Sequence, residues 1–162
     1  MKRCVRIGPL EFCDPMLLCG ILYLLLLFDA GGFLRLGLLA AFLHEAGHIA
    51  AYCLMFRRFP VIRVTMTGFC MCTRGAALTP GRTFWLAAAG PGVNLALAGL
   101  WTVRLARHAT VYGCAFLMEN LLTGAFNLLP IPPLDGAQML QSLWRSLRCQ
   151  TRNCISPGNR VK

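Results

Sequence analysis

The sequence is short of charge, and shortest of negative charge: Asp and Glu together number six in 162 residues, and all charged residues make up 14%. A water-soluble domain of this size carries about a quarter charged residues, so an ordinary soluble fold is excluded. The 16 basic residues leave a net charge of +10, yet they neither form one face nor alternate with aromatics. They cluster between apolar runs, which excludes a nucleic-acid surface and fits a membrane protein with basic loops on one side. An internal repeat is missing, and so is any CxxC pair among the nine cysteines. No chemistry is assigned to those thiols. A small-x-small cleavage site is missing after the first apolar run, where Phe28-Asp29-Ala30-Gly31-Gly32 leads straight into more apolar sequence. That run is therefore read as a retained segment and not as a signal peptide.

What is present is apolar: 57% of the residues are hydrophobic and the mean hydropathy is +0.60. Four stretches are predicted to span a bilayer, at 16–28, 33–56, about 83–106 and about 110–129. The first is short of the roughly 20 residues a span usually needs. Between the second and third, Ile62, Val64 and Met66 alternate with Arg63, Thr65 and Thr67, the two-residue period of a strand. Gly68 breaks that strand, and 69–73 is read as its hairpin partner. After the fourth, Met139, Leu140, Leu143, Trp144 and Leu147 recur at helical spacing opposite Gln138, Gln141, Arg145 and Arg148, the pattern of an amphipathic helix on a membrane surface.

The expectation is an all-α membrane protein of about four transmembrane helices, with a short β-hairpin between the second and third and a C-terminal amphipathic helix. Residues 1–149 form one membrane-embedded domain, and 150–162, broken by Pro157-Gly158, form a disordered basic tail. Four spans place thirteen of the 16 basic residues on the side shared by both termini. The positive-inside rule makes that side the cytosol. Arg35 and Glu119, both toward the outer ends of their spans, are expected to pair.

Chemistry concentrates in the second span, at His44-Glu45-Ala46-Gly47-His48. Residues four apart on a helix share a face, so His44 and His48 can aim two imidazoles at one zinc ion. Glu45 stands beside them, where it can accept a proton from water. Ionisable groups at bilayer depth are costly and therefore functional by default. In the third span, Pro91 is expected to kink or open the helix, and Asn94 needs a polar partner. Asn94 either packs against a neighbouring helix or contacts substrate. The fourth span ends in Asn127-Leu-Leu-Pro-Ile-Pro-Pro-Leu-Asp135-Gly136. Its prolines forbid a continuing helix, and non-helical backbone at membrane depth needs surrounding protein or a polar cavity. Asp135 is the one acid nearby; alone, Asp135-Gly136 would read as a turn and helix cap at the membrane surface, but beside the two histidines it is assigned as the third zinc ligand.

His44-Glu45-Ala46-Gly47-His48, then Gly90-Pro91-Gly92-Val93-Asn94, then Asn127 to Gly136, in that order, resemble the three signatures of the site-2 protease family of intramembrane zinc metalloproteases. Within it the chain most resembles the compact stage IV sporulation branch. The resemblance implies one zinc per chain held by His44, His48 and Asp135, with Glu45 as the catalytic base. It also implies regulated cleavage of a transmembrane or membrane-associated protein, such as a pro-sigma factor, an anti-sigma factor or a remnant signal peptide. Asn94, Asn127 and the strand residues Ile62, Val64 and Met66 are the candidates for binding substrate. The implied setting is a bacterial cytoplasmic or forespore membrane, with an inhibitory membrane protein as a further partner. The loop at 57–82 is too short for a PDZ domain, and nothing after Leu147 suits a nucleotide-sensing domain. The usual Asp-Gly-Gly-Arg stands here as Asp135-Gly136-Ala137-Gln138. Two other readings use the same residues: a membrane metal-ion transporter, for which Glu45 has no task, and a non-catalytic protease-like binding protein, which would be free to lose a member of the set.

Overall fold

The computed structural model describes residues 4–8, 10–13, 15–65, 68–72 and 78–155. Five helices and four strands follow in the order β1 (Cys4–Ile7), β2 (Leu10–Cys13), α1 (Pro15–Leu27), α2 (Phe33–Phe56), β3 (Val61–Thr65), β4 (Gly68–Cys72), α3 (Pro80–Leu105), α4 (Val111–Asn127) and α5 (Asp135–Ile155). The protein is mostly helical. Two helices, α2 and α3, are long and apolar enough to cross a membrane. At about 1.5 Å of rise per residue, α1 and α4 extend roughly 20 and 26 Å, against a hydrocarbon core of about 30 Å. Large apolar side chains point outward around the bundle, among them Phe42, Leu54, Leu100, Leu122 and Phe126, each more than half exposed. Such a surface is stable against lipid and not against water.

α3 is the centre of the bundle and packs against α2, α4 and α5. Its start is set by Thr79, whose Oγ1 accepts from the Arg82 amide, and by Pro80 in the first turn. Leu86, Ala87, Gly90, Pro91, Asn94 and Ala98 form its buried face. Small residues there let neighbouring helices approach closely. Pro91 lies inside an unbroken helix, so the expected local opening is not found. α4 begins the same way, with Thr110 Oγ1 accepting from the Gly113 amide. The start of α2 is held from outside the helix. The Asp29 carboxylate accepts from the amides of Leu34 and Arg35 at 3.1 and 3.2 Å and also meets the Arg35 guanidinium at 3.5 Å. The expected Arg35–Glu119 pair is therefore replaced by Arg35–Asp29, because the loop acid is six residues away and already positioned as a cap. Glu119 instead lies against Gly37 of α2.

The strands are a second departure from expectation. The hairpin of β3 and β4 is present, but it belongs to a four-stranded sheet in the order β1-β2-β3-β4. The chain is thus not all-α. β2 pairs parallel with β3, Leu10 opposite Ile62 and Phe12 opposite Val64, across a crossover made of α1 and α2. Arg63 reaches back to the Glu11 carboxylate at 2.9 Å across the same pair. The signal for β1 and β2 was present: Val5 and Ile7, then Leu10 and Phe12, alternate around Gly8-Pro9, a turn dipeptide. Gly8 sits at φ +60, the left-handed conformation that glycine adopts without cost. The sheet lies at the end of the bundle where α1 and α3 begin and α2 ends. A third difference is at the C-terminal side. α5 runs to Ile155, past the expected tail boundary at 150, because no glycine or proline intervenes between Gly136 and Pro157. The remainder of the predicted tail lies outside the described residues.

Candidate metal centre

Three donor atoms converge where α2, α3 and the start of α5 meet. His44 Nε2 and His48 Nε2 are 3.2 Å apart, and Asp135 Oδ2 lies 3.0 Å from the first and 3.1 Å from the second. His44 and Asp135 are buried, and His48 nearly so. Spacing alone brings the imidazoles together, since they occupy successive turns of one helix face. Their rings meet edge to face, with centroids 4.8 Å apart.

The third donor needs a chain reversal. α4 ends at Asn127, and the chain turns through 128–134 so that α5 opens with Asp135. The Pro132–Pro133 peptide in this turn is cis. Gly136 is packed so closely beneath the end of α4 that a Cβ there would collide with the Leu128 carbonyl oxygen. The glycine after Asp135 is thus a steric requirement for bringing that carboxylate to the rings. A straight continuation of α4 would have carried it past them.

Two more glycines shape the site, one by letting α2 and α3 close on each other and one by admitting the rings. A Cβ on Gly47 would meet Val93 Cγ2 at 2.8 Å and the Ala89 carbonyl oxygen at 2.9 Å, so α2 and α3 cross here at close range. A Cβ on Gly90 would collide with the His48 ring and lie 2.8 Å from His44 Cε1. The sequence motif identified the ligands but gave no hint of this recess.

The donor chemistry fits a divalent metal. His48 Nδ1 is 2.8 Å from the Leu86 carbonyl oxygen, which can only accept, so Nδ1 carries the proton. In the neutral ring Nε2 is then a bare lone pair aimed at another lone pair, that of Asp135 Oδ2. Such a contact is repulsive unless a cation or an added proton lies between the two atoms. A tetrahedral zinc with bonds of about 2.0–2.1 Å separates its ligand atoms by roughly 3.3 Å, close to the three distances here. The Leu86 carbonyl provides the outer-shell bond that fixes the tautomer and orientation of a ligating histidine. His44, His48 and Asp135 form the one group of three or more such side chains gathered closely enough to hold a metal ion among the described residues.

Glu45 is half-buried on the same helix, and its carboxylate has no hydrogen-bond partner among the described residues. Asn94 is fully buried in α3, with both amide atoms unpartnered, close to Gly124 of α4. Asn127 is committed differently, its amide donating to the Thr123 carbonyl of its own helix at 2.9 Å. Ile62 and Val64 lie in β3, whose two edges are taken by β2 and β4. An incoming strand therefore finds no free backbone at Ile62 or Val64. The reason is the unforeseen N-terminal hairpin, which covers that edge. Met66 lies outside the described residues.

The chain is similar in sequence and in fold to known proteins. The sequence model of Peptidase family M50 matches residues 102–155. The chain is 36% identical over 132 residues to proteins named "Putative zinc metalloprotease Rip3" from the Erdman and H37Rv strains of Mycobacterium tuberculosis, a match covering 74% of this chain. The chain spans about a third of those relatives' length, 32%. Among solved structures, the site-2 protease of Methanocaldococcus jannaschii superposes with a TM-score of 0.62, covering 90% of this chain and 73% of that one at 17% identity. That likeness is one of fold.

Proposed function

We propose that this chain, a relative of the M50 site-2 proteases, is an intramembrane zinc endopeptidase that cuts a membrane-associated protein. The observation that carries the reading is the convergence of His44, His48 and Asp135 to within 3.2 Å of one another. The three side chains would hold one zinc, His48 with its tautomer fixed by Leu86 and Asp135 supplying the negative charge. Zinc bound there would act as a Lewis acid and lower the pKa of a water at the site toward about 7. Glu45, one residue from His44 and free of other bonds, accepts the proton of the attacking water and returns it to the departing amine. Asn94, fully buried against α4, serves in this reading to pack the helices and not to contact substrate. A metal transporter would use the same ligands but would have no use for Glu45. Co-expression of the protein with single-span and membrane-tethered candidate substrates, scored for a shortened product, tests the activity.

In this reading all four apolar helices cross or enter the bilayer, α1 and α4 being short or tilted spans. Both termini and the sheet are cytosolic. A helical substrate hides its carbonyls in its own hydrogen bonds, so it must unwind before it is cut. The extended segment then adds to a sheet edge. Because β3 is enclosed, the outer strands of the sheet are β1 and β4, and this role is given to β4 at Gly68–Cys72, the strand that precedes α3. Along an edge strand, backbone amides point alternately toward the neighbour and outward. A proline scan of 69–71 should therefore lower cleavage at alternate positions while bound zinc stays constant. Uniform loss of both zinc and cleavage would argue that the strand matters only for folding.

A further inference from the structure

A second polar site lies one helical turn from the metal centre. The first turn of α3 and the polar face of α5 enclose a cleft of about 310 Å³ lined by Thr83, Gln138, Gln141, Ser142 and Arg145, with Leu78 and Pro80 at its apolar side. Both walls run directly from the metal site. Gln138 stands three residues after Asp135, and Thr83 three residues before Leu86, whose carbonyl holds His48. The cleft therefore begins about 4.5 Å along each helix from the donor set, at a rise of about 1.5 Å per residue.

Its chemistry has one sign. The lining carries one charged group, the Arg145 guanidinium, and no carboxylate among the described residues; the Thr83 and Ser142 hydroxyls already donate to the Thr79 and Met139 carbonyls, and the Gln138 amide to that of Pro133. Arg145 has no ion-pair partner among the described residues. The start of α3 adds the positive end of a helix dipole at the same place. Arg145 is exposed, so its charge is available to a visiting acidic group.

Resting on the protease reading above, we propose that this cleft is a specificity subsite for an acidic substrate side chain, with Arg145 as the residue that selects it. Arg145 is ten residues beyond Asp135 on α5, about 15 Å by helical rise, and its own side chain reaches part of the way back. An extended peptide advances roughly 3.3–3.4 Å per residue. The selected Asp or Glu consequently lies about three to five residues from the bond that is cut, on the side of the substrate that leaves the metal centre along α5. Gln138 and Gln141 hold the intervening backbone.

The test is a panel of single-span substrates in which Asp or Lys is walked through the five positions on each side of the cut. The panel is presented to the full chain in lipid nanodiscs. For the wild type, kcat/KM at one cluster of positions should favour Asp over Lys on the order of tenfold, the range expected when a partly exposed ion pair is replaced by a like-charge contact. Arg145→Glu should reverse that order, which a merely structural role for Arg145 would not produce. Binding of the same panel to the Glu45→Gln protein, read by cross-linking, should show the same ranking without any cleavage. Equal treatment of Asp and Lys at every position, or a ranking that Arg145→Glu leaves unchanged, overturns the proposal. Should the wild type cut no member of the panel, the protease reading fails, and the binding order still decides whether the cleft selects an acid.

Discussion

Glu45→Gln is expected to lower substrate cleavage by a factor on the order of a hundred to ten thousand, the usual contribution of a positioned general base, with zinc still bound at one ion per chain. The substitution keeps the shape of the side chain and removes only its ability to take a proton. It breaks no bond within the fold, because the Glu45 carboxylate has no hydrogen-bond partner among the described residues. Its neighbours His44, His48 and Asp135 retain their mutual geometry. Product formation in cells co-expressing a substrate, together with metal analysis of the purified variant, checks both halves. Cleavage at the wild-type rate would remove Glu45 from the mechanism. Loss of zinc along with activity would recast it as a structural support of the site.

Gly90→Ala is expected to reduce zinc affinity on the order of a hundredfold, as large as the loss from disturbing the partners that orient metal ligands. The added methyl would meet the His48 ring, 2.7 Å from its Cε1, and the His44 ring at 2.8 Å from its Cε1, so the rings must move off their common point. Alanine is a better helix former than glycine by about 1 kcal/mol; a defect in α3 itself would therefore run the other way. Gly92→Ala is the matched control. It makes the same change two residues along the same helix, and a Cβ there meets nothing within 4 Å. That variant should keep its zinc and unfold at the same or a slightly higher temperature. Competition with a zinc chelator, run on both variants, reads the difference. Equal zinc affinity in the two would mean that the recess at Gly90 does not shape the metal site.

The donor set was legible in the sequence because its logic is local and because the chain has so few acids. Two histidines four apart on an apolar helix leave one face to share, and Asp135 is the only carboxylate near the proline-rich turn. The means by which Asp135 arrives was half legible. The prolines announced a turn, whereas the fit of Gly136 beneath Leu128 depends on where α4 ends in space. The recess at Gly90 was hidden for the same reason, since a glycine in a helix looks alike whether it meets lipid or an imidazole. The full sheet was not legible because its pairings are distant along the chain. β3 and β4 are adjacent and showed their alternation, but the parallel pairing of β2 with β3 spans two helices, and nothing local to either strand specifies it. The Arg35–Asp29 pair was not legible because it depends on the loop folding back onto the start of α2, which position within a span does not reveal.

X-ray absorption at the zinc edge, recorded on the purified protein in lipid, tests the central claim most directly. The account predicts one zinc with a first shell of nitrogen and oxygen at about 2.0–2.1 Å, the outer-shell signature of two imidazoles, and a shell that changes or a metal that is lost in Asp135→Ala. A sulfur shell at about 2.3 Å, or a spectrum that Asp135→Ala leaves unaltered, would contradict it.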